Sequence, residues 1–270
     1  MPSNRKKQIY GVDISYCQTG LNYEKLKNDG VSFVMIRAGY TGTLSHKQHT
    51  DSMLAKHVNG CIKAGLPYGY YWYSGARTSA EARLEAKYCA SLINRYDRPA
   101  YPVFFDIEEP FIANGGAKTT TDICLAFCDE MTALGYPSGV YTNPDWMENR
   151  LEKERLAGFK VDIWLAHWGE SCSCTYGQTI WQSGLKYSAG KRVDYDICFI
   201  DYPKKTAEWY KKFDKAKLKP TRVIAKEVIA GKWGNGAVRK SRLISAGYDY
   251  AEVQTEVNKI LAAKKPPIKK

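Results

Sequence analysis

The sequence predicts an α/β protein: an irregular, TIM-like (β/α) barrel with incomplete helices in its last third, followed by a small three-helix bundle. Three observations carry this expectation. Short β-rich runs alternate with helix-length segments through residues 8–203, the pattern of parallel βα units. Eight such runs are present, enough to close a barrel. Beyond Pro220 the apolar residues recur at helical spacing and glycines break the run into pieces.

The expected strands are residues 8–14, 32–37, 68–73, 102–107, 138–141, 162–166, 179–182 and 196–199. Between them, one helix is expected from about His46 to Ala64, closed by Gly65 as a C-cap. Others should start at Thr78-Ser-Ala-Glu81 and near Thr119-Thr-Thr-Asp122, where a hydroxyl residue precedes an acid by three positions. After Asp162 the connections are too short for crossover helices, so the last third should be antiparallel or irregular. The expected division is a barrel domain at 1–203, a Lys-rich linker at 204–222 with helical character at Trp209, Tyr210 and Phe213, a helical module at 223–262, and a disordered basic tail at 263–270.

The formal net charge is +12, from 40 Lys+Arg and 28 Asp+Glu. Residues 1–203 hold 22 of each sign, so the excess lies wholly in residues 204–270, with 18 basic against 6 acidic. A neutral domain followed by a basic segment suits a polyanionic partner. Nucleic acid is one, but nothing in the segment resembles a reader of bases, and anionic wall polymers obey the same electrostatics. No run of 18 apolar residues is present, so no transmembrane helix is expected. The start, MPSNRKKQIYGVD, lacks the apolar stretch of a secretory signal. The expectation is therefore a protein made in the cytoplasm, with its eight cysteines free. Neither Cys124/Cys128 nor Cys172-Ser-Cys174 has the spacing of a zinc site, and no metal or cofactor is expected.

Four acids stand at strand ends. Asp13 follows Ile9–Val12, Asp106 and Glu108 follow Val103-Phe104-Phe105, and Asp194 precedes the last expected strand. Residues i and i+2 of a strand share a face, with backbones roughly 6.6 Å apart, so Asp106 and Glu108 should project together. Glu109, at i+3, should point away. On the C-terminal rim of a barrel such acids repel one another, and a carboxyl kept protonated near neutral pH can act as a general acid. Glycoside hydrolysis asks for such a group. An Asp-x-Glu could equally cap a helix or bind a divalent cation. Aromatic residues add to the sugar reading: Tyr40, Tyr70 to Tyr73, Tyr141, Trp164, Trp168 and Trp181 fall near strand ends, and their faces suit sugar rings. About half should be core. Tyr71 and Tyr73 share one strand face and Tyr70 and Trp72 the other, with the inward face open.

Together these segments resemble the glycoside hydrolase family 25 lysozymes, the N-acetylmuramidases of phage endolysins and bacterial autolysins. The matching stretches are Gly-Val-Asp13-Ile-Ser15, Met35-Ile-Arg37-Ala-Gly39, Gly69-Tyr-Tyr71-Trp-Tyr73, Phe105-Asp106-Ile-Glu108, Gly139-Val-Tyr141-Thr-Asn143, Trp164-Leu-Ala166-His-Trp168, Ile180-Trp181-Gln182 and Val193-Asp194. The resemblance implies cleavage of the β-1,4 bond between N-acetylmuramic acid and N-acetylglucosamine. By match, Glu108 would be the general acid/base. Asp106 would stabilise developing positive charge or orient the substrate's own N-acetyl group, and Asp13 and Asp194 would complete an acidic cleft. Arg37, Tyr71, Tyr141, Trp168 and Trp181 are the expected substrate-binding residues. The family commonly continues Asp-x-Asn where this chain has Asp194-Tyr-Asp196, an extra acid beside the site.

Residues 223–262 are similar to the CW_7 cell-wall-binding repeat, through Val228-Ile-Ala-Gly-Lys-Trp-Gly-Asn-Gly236, Arg239, Leu243 and Ala246-Gly-Tyr-Asp-Tyr250. That resemblance implies recognition of the muropeptide, with Trp233 and Arg239 as candidate contacts. One copy gives no avidity within the chain, and dimerisation through this module could compensate. The expected whole is an endolysin-type muramidase of phage or prophage origin, released to the bacterial wall at lysis, with peptidoglycan and anionic wall polymers as partners. The alternative is a non-catalytic wall or chitin lectin that keeps the barrel as a sugar platform.

Overall fold

The computed structural model describes residues 8–263. Its strands are β1 (Ile9–Ile14), β2 (Phe33–Thr41), β3 (Gln48–Thr50), β4 (Tyr68–Tyr73), β5 (Val103–Asp106), β6 (Ser138–Thr142), β7 (Asp162–Ala166), β8 (Ile180–Ser188) and β9 (Lys191–Cys198). Its helices are α1 (Tyr23–Asn28), α2 (Leu54–Ala64), α3 (Ser79–Ile93), α4 (Gly116–Leu134), α5 (Pro144–Asn149), α6 (Lys153–Gly158), α7 (Tyr202–Lys217), α8 (Thr221–Ile229), α9 (Gly236–Ser245) and α10 (Tyr250–Ala263). A 3-10 turn covers Pro110–Gly115.

Eight strands close into a barrel, in the order β1-β9-β8-β7-β6-β5-β4-β2, with β1 pairing back on β2. The steps from β1 through β2, β4, β5, β6, β7 and β8 are parallel. β9 is antiparallel to both neighbours, β8 and β1, as the short loops of the last third imply. The β8–β9 turn is Ala189-Gly190, both at positive φ (48° and 79°), the geometry of a two-residue hairpin turn whose twist matches that of the strands. Asp29 holds that turn, accepting from Ser188 Oγ at 2.9 Å and Ala189 N at 2.8 Å.

Strand alternation sorts the side chains. Phe33, Met35, Tyr71, Phe104, Trp164, Ile180 and Cys198 form one buried cluster inside the barrel, closed from below by Tyr101 and Tyr202. Val34, Ile36, Tyr70, Trp72, Val103, Phe105, Val140, Ile163 and Leu165 point outward and pack on Val58, Cys61, Ala86, Cys89, Ile123 and Phe127 of the surrounding helices. Tyr71 therefore faces inward and Tyr70 and Trp72 outward, which settles the face left open by the sequence.

Several elements depart from expectation. The segment expected to be helical from His46 instead forms β3, antiparallel to β2, and α2 starts at Leu54. Asp51 sets that start, accepting from Met53 N at 2.8 Å. α4 begins at Gly116, not at Thr119, and Thr120 and Thr121 donate back to Gly116 O and Ala117 O. β8 and β9 extend past the expected ends, so Asp194 lies within β9 rather than before it. Thr78 caps α3 as expected, accepting from Glu81 N at 3.2 Å.

The chain divides into two compact units at Trp209/Tyr210. The stretch 204–222, expected as a linker, is helical as α7 through Lys217. Tyr202, at its start, is fully buried in the barrel base and shares a 2.6 Å hydrogen bond with Thr179 Oγ1. In the second unit α8, α9 and α10 pack around Ile224, Ala225, Val228, Leu243, Val253 and Val257. Val223, Val238 and Ile244, also apolar, are exposed. The expected tail at 263–270 lies outside the described residues except for Ala263, which ends α10.

The barrel interior leaves no space at Gly139 of β6. A Cβ there would sit 2.4 Å from Asp162 O and 2.6 Å from the Phe104 ring, and the backbone atom cannot swing aside. Gly139→Ala should destabilise the protein by about 1–3 kcal/mol, the usual cost of overpacking. Urea denaturation of the two proteins checks this, and an unchanged midpoint would contradict the packing described.

Candidate active site

The parallel strands deliver their C-terminal ends to one rim, and β9, running the opposite way, delivers its first half to the same rim. Asp13 on β1 is directly opposite Asp194 on β9, a spacing of about 4.5–5.5 Å between Cβ atoms. Asp106 ends β5 and is 5% exposed. Glu108 follows two residues on and is exposed at the mouth. All four expected catalytic acids thus gather at one end of the barrel.

Their electrostatics differ by depth. Burial raises the Asp106 carboxyl well above its ordinary value, helped by Glu108 and Asp13, while Arg37 opposes the shift. Asp13 is likewise pushed well up by burial and by Asp194 and Glu108, against a hydrogen bond from Gln182. Glu108 is raised by desolvation on its inner side, then by Glu109 and Asp194. Desolvation raises Asp194 as well. Asp196 is 0% exposed. Trp164 Nε1 donates to its Oδ1 at 2.8 Å, its Oδ2 has no partner, and burial followed by Asp13 pushes it well up.

Gln182, absent from the expected site residues, joins the two walls. Trp168 Nε1 donates to its Oε1 at 3.0 Å and Tyr141 Oη at 3.1 Å, while its Nε2 donates to Asp13 Oδ2 at 2.8 Å. An indole can only donate, so the amide orientation is fixed without ambiguity. The signal was in the sequence: Gln182 is two residues from Ile180, which faces inward. Trp181, between them, points to the other face. It is 5% exposed and donates to His167 O at 2.6 Å, which braces the rim.

The other expected binding residues divide by exposure. Trp168 is 58% exposed at the rim. Tyr71 is buried beneath it, edge-on to Trp164. Arg37 Nε donates to Asp51 Oδ2 at 2.8 Å, and the guanidinium lies over the rings of Tyr16 and Tyr40. Its NH2 is buried without a partner, a donor free for a ligand. Arg37, Tyr16, Tyr40, Tyr73 and Glu109 line a cleft of about 450 Å³. Glu109 was expected to point away. β5 has ended by then, and Glu109 turns back to accept from Tyr73 Oη. Asp51 was hidden because its segment read as helix. A convergent set of metal-ligating atoms lies elsewhere, at His167, Cys172 and Cys174.

Residues 12–190 match the model of the glycosyl hydrolases family 25. The chain belongs to that family. Residues 223–261 match the CW_7 repeat. A lysozyme of Streptococcus phage Cp-7 is 28% identical over 242 residues, covering 85% of this chain and 66% of the relative. Lysozyme M1 of Streptomyces globisporus is 25% identical over 211 residues, covering 68% and 63%. The chain thus spans about two thirds of the length of these curated relatives. The structure of a family GH25 lysozyme from Aspergillus fumigatus superposes with a TM-score of 0.60 at 26% identity, over 71% of this chain and 94% of that one. Asp196 adds a fully buried acid beside Asp13 and Asp194.

Its consequence is testable. An aspartate whose folded pKa lies above the unfolded value of about 3.9 makes the folded state bind more protons, so stability falls as pH rises through that window. Asp196→Asn keeps an acceptor for the Trp164 indole and removes the charge. Its stability gain over the wild type should be smallest below about pH 4 and should grow toward neutral pH. Urea melts across pH read this, and a gain independent of pH would contradict the assignment.

Proposed function

We propose that this protein is a lysozyme-type peptidoglycan hydrolase, a 1,4-β-N-acetylmuramidase of the endolysin type. The observation that carries the reading is the vertical arrangement of Glu108 and Asp106: an exposed carboxyl held above its ordinary value stands over a buried one. A carboxyl with a raised pKa retains its proton nearer neutral pH and can give it to a leaving group.

In this mechanism Glu108 protonates the glycosidic oxygen as the bond to the muramic acid C1 breaks. Asp106, below Glu108, accepts from the N–H of the substrate's acetamido group, whose carbonyl oxygen then bonds to C1. Water, deprotonated by the Glu108 carboxylate, opens that ring and leaves the configuration retained, one of the recognised variants of the two-carboxylate scheme. Asp194, less buried than Asp13, supplies negative charge toward the cationic intermediate, with Asp13 opposite it held by Gln182. Arg37, Tyr141 and Trp168 would hold the glycan, a reading supported by the exposed indole face of Trp168.

The CW_7 match and the basic excess of residues 204–270 support a wall-holding role for the second unit. Trp233 and Arg239 are its candidate contacts, though each already has a partner in the bundle: Trp233 Nε1 donates to Glu227 and Arg239 to Gln254. The likeness to a phage lysozyme supports a phage or prophage role. Among the described residues no helix is long and apolar enough to cross a membrane.

Mass spectrometry of borohydride-reduced fragments released from purified walls tests the reading. Reduced muramic acid ends are expected, and Glu108→Gln should lower their yield by about 10²–10⁴-fold, the typical contribution of general acid–base catalysis, with the circular dichroism unchanged. Reduced glucosamine ends, or products of peptide or amide cleavage, would overturn it.

A further inference from the structure

The loop between β7 and β8, residues 167–179, carries chemistry that the hydrolysis does not use. A ring nitrogen of His167 and the sulfurs of Cys172 and Cys174 all lie within 4.8 Å of one another. The linear spacing of Cys172-Ser-Cys174 shows no metal site by itself, because the third donor comes from the strand end that folding brings alongside.

We propose that His167, Cys172 and Cys174 form a zinc site that pins this loop. A thiolate-rich set with one imidazole is the donor chemistry of zinc. Zinc binds sulfur at about 2.3 Å and nitrogen at about 2.0–2.1 Å, which puts tetrahedral donors roughly 3.5–3.8 Å apart. Donors already within 4.8 Å reach that spacing by small side-chain rotations. The three protein ligands leave a fourth position for water.

Independent features point the same way. Nδ1 of His167 is buried and has no hydrogen-bond partner, an orphan state that folded proteins rarely leave uncompensated. The His167 backbone is fixed on both sides, its N–H donating to Gln182 O at 3.1 Å and its carbonyl accepting from Trp181 Nε1 at 2.6 Å. The imidazole is therefore presented from a rigid strand end. Gln178 arranges the cysteine side, with Nε2 donating to Cys174 O at 2.8 Å and to Cys172 Sγ at 3.5 Å. These bonds hold both cysteines in place within the loop, as outer-shell partners of metal sites orient their ligands. Both thiols and Tyr176 pack partly against the core, so the sulfurs are shielded without being sealed. Binding releases the thiol protons to solvent as the thiolates form.

The site bears on the cleft through the loop. Trp168 is adjacent to His167 and hydrogen bonds to Gln182, which in turn holds Asp13. A metal at His167 would hold that indole at the rim.

The test is a cobalt titration of the untagged full chain, stripped with chelator and kept reduced under anaerobic conditions. One Co²⁺ per chain is expected, with a thiolate-to-cobalt charge-transfer band and the intense visible bands of a tetrahedral site, displaced by one equivalent of Zn²⁺. Cys172→Ser, Cys174→Ser and His167→Ala should each weaken binding by more than the roughly 10–100-fold that loss of an outer-shell partner costs. Zinc should raise the Tm of the wild type but not of a Cys172→Ser/Cys174→Ser double variant, which separates ligation from misfolding. No cobalt uptake, a weak octahedral spectrum, or a spectrum unchanged in Cys172→Ser would overturn the proposal.

Discussion

The enclosure of several carboxyls at one end of one barrel is the constraint around which the rest of the site is built. Asp13, Asp106 and Asp196 are all buried, and like charges in a medium of low polarity cannot all ionise together. The barrel resolves this by depth. The buried acids are displaced toward their neutral forms, while Glu108, whose side chain must exchange protons with a ligand, is left at the mouth. Fixed donors then select which oxygens carry charge: Gln182 on Asp13 Oδ2 and the Trp164 indole on Asp196 Oδ1.

Gln182 converts that electrostatic arrangement into shape. Its amide ties Asp13 on β1 to Tyr141 on β6 and to Trp168 beyond β7. A side chain in the floor of the cleft, an acid and an aromatic wall are thus positioned as one unit. Arg37 is handled in the same way by Asp51 and the rings of Tyr16 and Tyr40, which orient the guanidinium and leave one nitrogen unengaged. Preorganisation of this kind lets charge develop in a ligand without reorganising the protein.

Much of this was legible from the chain. Asp-x-Glu at the end of an apolar strand, and aromatics alternating on β4, follow from the two-residue period of strands. The unreadable parts have specific causes. β3 looked helical because a three-residue edge strand has no period of its own and exists only through pairing with β2. The outer half of the β8–β9 hairpin is exposed, with Lys186, Tyr187, Lys191 and Arg192 in contact with water, so it lacks the apolar alternation that marks a strand. Glu109 was misplaced because extended geometry was assumed beyond Asp106, where the strand stops. The grouping of His167 with Cys172 and Cys174 depends on where the loop returns to the barrel, which linear spacing does not encode.

Burial at the barrel mouth holds its aspartates above the ordinary carboxylate range. Carbon-13 NMR of the protein labelled at aspartate and glutamate carboxyls, followed from acid to neutral pH, observes this directly. At least one aspartate carboxyl should titrate clearly above the ordinary value of about 3.9, with its signal lost in Asp106→Asn, Asp13→Asn or Asp196→Asn. Titration of every aspartate near that ordinary value would contradict this.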